Sequence, residues 1–167
     1  PGNYEQQATY TVTVAATDSG SSEQVFQEIT VNLNDVNEAP AFTSASTFSA
    51  DENQTTVNTV TASDPENDSL TYSTTSSEFA IDASSGALSF IAAPDYETTN
   101  AYSLTVKVSD EEFDVEQAIT VSVNNLNEAP EFTSAATFSA MENQTAIGTV
   151  TANDVDGDNV SFIVSGS

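Results

Sequence analysis

The stretch "NEAPAFTSASTFSADENQT" occupies residues 37–55, and "NEAPEFTSAATFSAMENQT" occupies residues 127–145. The second copy is displaced by 90 positions, from Asn37 to Asn127. The match extends outward on both sides. "ITVNLNDVNEAP" (29–40) pairs with "ITVSVNNLNEAP" (119–130), and "TVTASDPENDSLTYS" (59–73) pairs with "TVTANDVDGDNVSFI" (149–163). Further upstream, "YTVTVAATD" (10–18) matches "YSLTVKVSD" (102–110) at a shift of 92, so the earlier copy has a loop two residues longer. A period this long describes tandem domains rather than a solenoid of short units.

Inside the period the apolar residues alternate. Tyr102, Leu104, Val106 and Val108 fall on one side, with Ser103, Thr105, Lys107 and Ser109 on the other. Ile119, Val121 and Val123 alternate with Thr120 and Ser122. Tyr10, Val12 and Val14, then Ile29, Val31 and Leu33, repeat the pattern. A period of two in Val-, Ile- and Thr-rich segments predicts half-buried strands. Turn-forming stretches separate them: "DPEND" (64–68), "ASSG" (83–86), "APDYETTN" (93–100) and "DEEF" (110–113). About seven short strands per repeat and no helical period predict an all-β fold: tandem immunoglobulin-like antiparallel β-sandwiches. Residues 37–127 read as a complete repeat, 1–36 as the C-terminal part of one before it and 128–167 as the N-terminal part of one after it. The chain begins and ends in mid-pattern, which reads as a piece of something longer. The two partial repeats are nearly complementary in register, so head-to-tail self-association is an expectation.

Composition excludes several functions. Lys plus Arg is 1 against 26 Asp plus Glu, a net charge of −25. Nucleic-acid binding and contact with anionic membranes both need cationic side chains. Cys and His are absent, which removes disulfides, thiolate metal sites, imidazole bases and the usual zinc ligands. No apolar run reaches the length of a membrane span, and Pro1 opens no secretory leader pattern. What remains plentiful is hard oxygen, the ligand type of Ca²⁺.

The acids are not scattered evenly. Seven pairs recur between copies: Glu5/Glu97, Asp18/Asp110, Glu38/Glu128, Glu52/Glu142, Asp64/Asp154, Glu66/Asp156 and Asp68/Asp158. Asp51, by contrast, faces Met141, and Glu131 faces Ala41. On a sandwich, the recurring acids lie at strand ends and in loops. Glu52, Asp95 and Glu97 fall near the pole where the chain leaves through "NNLNEAP", and Asp154 and Asp156 face back toward it. Carboxylates converging with no Lys or Arg among them repel strongly. A Ca²⁺ ion, taking six to eight oxygens, removes that repulsion.

At these positions the chain resembles the cadherin repeat. "DEN" (51–53) and "MEN" (141–143) are similar to that family's x-E-N element, and "DPE" (64–66) and "DVD" (154–156) to its D-x-D element. "PDYE" (94–97) is similar to its D-R-E element, and "VSD" and "ATD", ending at Asp110 and Asp18, to its A-x-D element. "NDVNEAP" and "NNLNEAP" are similar to its D-x-N-D-N-x-P linker, one residue shorter. The resemblance covers essentially the whole chain. It implies a cadherin-like Greek key and extracellular repeats whose junctions bind Ca²⁺. Carried over, the first junction would use Glu5, Asp35, Asn37, Glu38, Asp64, Glu66 and Asp110. The second would use Glu52, Asp95, Glu97, Asn125, Asn127, Glu128, Asp154 and Asp156. Asn3 stands where the second junction has Asp95, and Asn125 where the first has Asp35. Each departure removes one charge.

The function so implied is a Ca²⁺-binding module that stiffens a large extracellular or cell-surface protein and supports calcium-dependent adhesion. Its partners would be other cadherin-like repeats, with polysaccharide as a further candidate. The acidic, Cys-free composition points to a bacterial source. The alternative is a carbohydrate-binding β-sandwich, with Tyr96 and Tyr102 as sugar platforms; packing in the core is the plainer role for both. No catalytic residues are expected. Asn53, Asn67, Asn143 and Asn159 each open an N-x-S/T sequon, and a turn role competes with glycosylation at Asn53.

Overall fold

The computed structural model describes residues 3–166. The outermost residues of the first and third sequence repeats, 1–2 and 167, lie outside that range. Thirteen strands follow one another: β1 (Thr9–Thr17), β2 (Gln24–Asn32), β3 (Ala41–Phe42), β4 (Thr47–Asp51), β5 (Thr56–Thr59), β6 (Ala62–Ser63), β7 (Thr71–Thr74), β8 (Phe79–Ile81), β9 (Ala87–Phe90), β10 (Ala101–Ser109), β11 (Asp114–Asn124), β12 (Glu131–Phe132) and β13 (Ala152–Asn153). The described residues contain no helix.

The central segment forms the sandwich. One sheet has the order β4-β11-β10-β7, the other β5-β9-β8, and β3 pairs with β6. The alternation read in the sequence is the burial pattern. Leu104, Val106 and Val108 of β10 and Ile119, Val121 and Val123 of β11 point inward and are buried. They meet Phe79, Leu88 and Phe90 from the opposite sheet. The register places Leu104 opposite Ile119 and Tyr102 opposite Val121. Phe79, Phe90 and Tyr102 close one end as an aromatic cluster, with centroids 4.5–5.9 Å apart. Tyr72 sits in the core and spends its hydroxyl on the Ala62 N–H at 3.0 Å. This removes the cost of burying an unpaired phenol.

One pairing departs from the all-antiparallel expectation. β4 runs parallel to β11, from Thr47 beside Thr120 to Asp51 beside Asn124. The chain reaches β4 after β3 has paired with β6, so it crosses to the other sheet and meets the last strand in the same direction. The consequence matters for function, because β4 and β11 end together and deliver Glu52 and Asn125 to one pole. The other sheet depends on a tight turn at residues 83–86. Gly86 has φ +71°, and a Cβ there would lie 2.1 Å from the Val60 carbonyl oxygen, so only glycine fits.

The flanking segments repeat local geometry without its core. β1 and β2 form a hairpin equivalent to β10 and β11, but Val12, Val14, Phe26, Ile29 and Val31 are exposed. β12 pairs with β13 as β3 pairs with β6. The hydroxyls of Thr43 and Thr61 are 2.8 Å apart, and so are those of Thr133 and Thr151. Residues 137–141, which match β4 in sequence, form no strand. Among the described residues no strand plays the part of β11 for them.

Candidate metal centres at the two junctions

The second junction is assembled from the end of β4, the turn before β10, the linker after β11 and the loop after β13. Glu52 is 1% exposed, and both its oxygens are engaged by backbone: Oε2 accepts from Tyr96 N–H at 2.8 Å and Oε1 from Leu126 N–H at 2.7 Å. The carboxylate therefore pins the 94–97 turn and the linker to the sandwich. Asp95 caps its own turn, accepting from Thr98 N–H at 3.0 Å. Glu52, Asp95 and Glu97 each bring a carboxylate oxygen within 4.8 Å of the others, and Glu97, Glu128 and Asp156 do the same. Asn125 donates to Glu97 Oε1 at 3.1 Å. Across the linker, Glu128 N–H donates to Asp156 Oδ2 at 2.7 Å. Asn127 donates locally to the Glu128 carbonyl at 3.1 Å, and Asp154, buried, accepts from Asp158 N–H. A cleft of about 510 Å³ opens among these groups.

The first junction has the same plan with other members. Glu5, Asp35 and Glu66 bring carboxylate oxygens within 4.8 Å of one another. Glu38 N–H donates to Glu66 Oε2 at 3.0 Å, the counterpart of the Glu128–Asp156 bond. Asn37 donates to Asp110 Oδ2 at 3.1 Å, tying the linker to the turn after β10. Asp64 accepts from Glu66 N–H at 3.0 Å and Asp68 N–H at 3.1 Å. Asp64, Asp110, Asn37 and Glu38 thus lie around the three-acid group rather than in it. Asn3, where the other junction has Asp95, accepts from Gln6 N–H at 2.8 Å and caps its turn in the same way without the charge.

Charge and burial are out of balance here. The four buried polar or charged side chains among the described residues are Glu52, Asp64, Asp110 and Asp154, all carboxylates at the two junctions. Asp64 Oδ2, Glu66 Oε1 and Glu128 Oε2 are buried with no hydrogen-bond partner. A buried carboxylate oxygen without a donor is costly. The one cationic side chain of the sequence, Lys107, is engaged by Asp114 at 2.9 Å. At an effective dielectric of ~20, two like charges about 5 Å apart repel by about 3 kcal/mol before further solvent screening.

The acid–base chemistry responds. A shared side-chain hydrogen bond with Glu66, then desolvation and the charges of Glu5 and Asp35, push the Glu38 carboxyl up to about 7. Glu66 is held below the usual carboxylate range, chiefly by the Glu38 backbone N–H. The two carboxyls of that pair are therefore pushed apart in acidity, Glu38 up and Glu66 down. Glu97 presents area to solvent, yet desolvation on its junction side raises it, reinforced by Glu52, Glu128 and Asp156. Asp110 is lowered, first by the Phe113 backbone N–H.

Two contacts were not anticipated from sequence. Asp51 accepts from Asn124 Nδ2 at 2.9 Å, beside the parallel strand pair. Asn53, read as a turn residue, has the left-handed φ of +62° that a turn role requires. Its side chain also donates to Glu128 Oε1 at 2.6 Å. A recurring Asn after a recurring Glu was the available signal, and it said nothing of a partner 75 residues away.

Comparison with known proteins bears on this arrangement. A profile for the cadherin domain matches residues 46–124. Protocadherin Fat 4 of Homo sapiens is 32% identical over 181 residues, covering 95% of this chain and 4% of that protein. Cadherin-99C of Drosophila melanogaster is 31% identical over 163 residues, covering 88% of this chain and 10% of that protein. The chain therefore spans a small fraction of these relatives. Among solved structures, human CDH23 EC21-23 superposes with a TM-score of 0.67 at 28% identity, over 93% of this chain and 56% of that one. The protocadherin gammaB7 EC3-6 cis-dimer structure gives 0.65 at 25% identity, over 92% and 45%.

Proposed function

Residues 46–124 are a cadherin-like repeat, and from that premise we propose that the chain is a Ca²⁺-clamped segment of a larger extracellular adhesive protein. Residues 37–127 are the complete repeat; 1–36 and 128–167 are parts of its neighbours. The family is structural and adhesive rather than enzymatic. One observation carries the cation: Asp64 Oδ2, Glu66 Oε1 and Glu128 Oε2 are buried without donors at the two junctions. A divalent ion fits such a donor set, because it accepts many hard oxygens at once and cancels their mutual repulsion.

At the second junction Glu52, Asp95, Glu97, Asn125, Asn127, Glu128, Asp154 and Asp156 would hold Ca²⁺. At the first, Glu5, Asp35, Asn37, Glu38, Asp64, Glu66 and Asp110 would. The ion supplies positive charge where the chain has none. The protein's own part is placement: Glu52 anchors turn and linker through two backbone bonds, and Glu38 and Glu128 each tie a linker to the next loop. With the charges neutralised, neighbouring sandwiches would stay in line; without the ion they would swing about the linker.

The partners are further cadherin-like repeats, on the same chain or on a second copy. The protocadherin gammaB7 EC3-6 cis-dimer, similar to this chain, points that way. Nothing favours the sugar-binding alternative, since Tyr96 and Tyr102 pack against the core. The test is Ca²⁺ titration by calorimetry joined to solution scattering. Uptake in the 10⁻⁴–10⁻³ M class of extracellular modules, with a longer and stiffer scattering profile, is the expected result. No heat and no change of shape in ~10 mM Ca²⁺ would refute the clamp.

A further inference from the structure

We propose that Asn53 is a positioning residue of the second junction: its side-chain amide fixes the Glu128 carboxylate in place before any cation arrives. The inference rests on the clamp reading for its purpose, but not for its geometry.

Two roles for Asn53 separate cleanly. As a turn residue it has φ +62° and donates its backbone N–H to the Pro94 carbonyl at 3.0 Å. Asn143, its counterpart in the third segment, has φ +68°, so the turn role is common to both. The second role is a side-chain contact across the linker. Nδ2 donates to Glu128 Oε1 at 2.6 Å, linking the central sandwich to the linker beyond it.

Glu128 is then held from three sides. Asn53 takes Oε1, the Glu128 N–H reaches Asp156 Oδ2 at 2.7 Å, and Asn127 Nδ2 caps the Glu128 carbonyl at 3.1 Å. What is left is Oε2, buried and without a donor. The Glu128 carboxylate stands in the group whose oxygens lie within 4.8 Å of those of Glu97 and Asp156. Left free, a carboxylate so near two others would rotate toward water. A neutral amide restrains it without adding positive charge, so the site keeps its full attraction for a cation. A lysine would hold Glu128 more strongly and would also cancel that attraction. Holding the side chain in advance lowers the ordering cost of binding. Because Nδ2 is the atom a glycan would occupy, the same contact leaves the Asn53 sequon poorly placed for modification.

The test uses Asn53→Gly, which keeps the left-handed turn and removes only the amide, with Asn143→Gly as the turn control. In chelator, amide hydrogen exchange over residues 126–129 should rise about fivefold for Asn53→Gly, the scale of one lost hydrogen bond. It should not change for Asn143→Gly. In Ca²⁺ titration, Asn53→Gly should weaken the second junction by a similar factor and leave the first alone. Unchanged exchange in chelator overturns the proposal, even if the wild type binds Ca²⁺ normally. The expected exchange without any Ca²⁺ uptake leaves Asn53 as a linker lock and overturns the clamp instead. Should Asn53→Gly fail to fold, the wild type still decides. An Asn53 side-chain amide exchanging with water as fast as a free asparagine would refute the contact.

Discussion

The two junctions share the linker Asn-Glu-Ala-Pro, yet they gather carboxylates from different places. The first centres on a linker acid, Asp35, with Glu5 and Glu66. The second has the neutral Asn125 at that linker position, and it donates to Glu97 instead of repelling it. The second recovers the charge from its turn, where Asp95 replaces the Asn3 of the first. The lesson is that the turn cap and the ligand charge are separable. Asn3 and Asp95 both cap a turn by accepting a backbone N–H three residues on, but only Asp95 brings a carboxylate to the cluster. The junctions differ also in their anchor. Glu52 grips turn and linker of the second from inside the sandwich, and Asn37 bonded to Asp110 secures the first; the counterpart of Glu52 in the first segment and that of Asp110 in the third lie outside this sequence.

That asymmetry can be broken at its strongest point. Glu52→Ala should cost the second junction at least tenfold in Ca²⁺ affinity and the central sandwich about 2–4 kcal/mol, because it orphans two backbone N–H groups and removes the linker anchor. Calorimetry on the variant should show the first junction unchanged; equal weakening of both would erase the distinction. Ca²⁺ itself should have the next largest effect. At about ten to a hundred times its dissociation constant it stabilises the folded state by about 1.4–2.7 kcal/mol. For a sandwich of this size that is a rise of roughly 5–20 °C in melting temperature. In Glu52→Ala the rise should shrink to the first junction's share.

Protons sharpen the comparison further. The hydrogen bond to Glu66, desolvation and nearby charge push the Glu38 carboxyl up to about 7, so on the proposed clamp Ca²⁺ would displace its proton at the first junction. Affinity there should rise as pH rises through 7, by up to about tenfold per unit for one proton. Without metal the sign reverses. A carboxyl raised from 4.5 contributes stability that is complete below that value and is lost as pH climbs through about 7. Contact between the first segment and the central sandwich should therefore loosen over that window in chelator. Linker amide exchange at 36–38, followed from pH 5 to 8, measures it. The smallest effect is expected at Asp51→Met, which copies the third segment. It removes the bond from Asn124 and should cost about 0.5–1 kcal/mol by thermal melting, with Ca²⁺ affinity untouched. A change in affinity would move Asp51 into the site.

Much of this was readable in the residues. The alternation at Tyr102–Val108 and Ile119–Val123 gave two core strands with the correct inward faces, because a strand's period of two maps directly onto burial. The 90-residue shift marked both linkers, and the recurring acids include Glu5, Glu52, Glu66, Glu97, Glu128 and Asp156, whose oxygens the fold brings together; Asp35 and Asp95 join those groups without recurring. The parallel course of β4 along β11 left no mark, since alternation specifies a face and not a direction. Nor did the 2.6 Å contact between Asn53 and Glu128, which looked like a turn residue and a linker acid.

The sequence by itself determined which face of each long strand is apolar, where one repeat yields to the next, and that 26 carboxylates must coexist with a single lysine; these are properties of pattern and composition, local along the chain. Tertiary structure alone decided which of those oxygens meet. It chose Glu52 as the anchor, left Asp64 Oδ2, Glu66 Oε1 and Glu128 Oε2 without donors, and pushed Glu38 and Glu66 apart in acidity. Coulomb energy and desolvation depend on distances between residues far apart in sequence, and those distances exist only once the strands have paired.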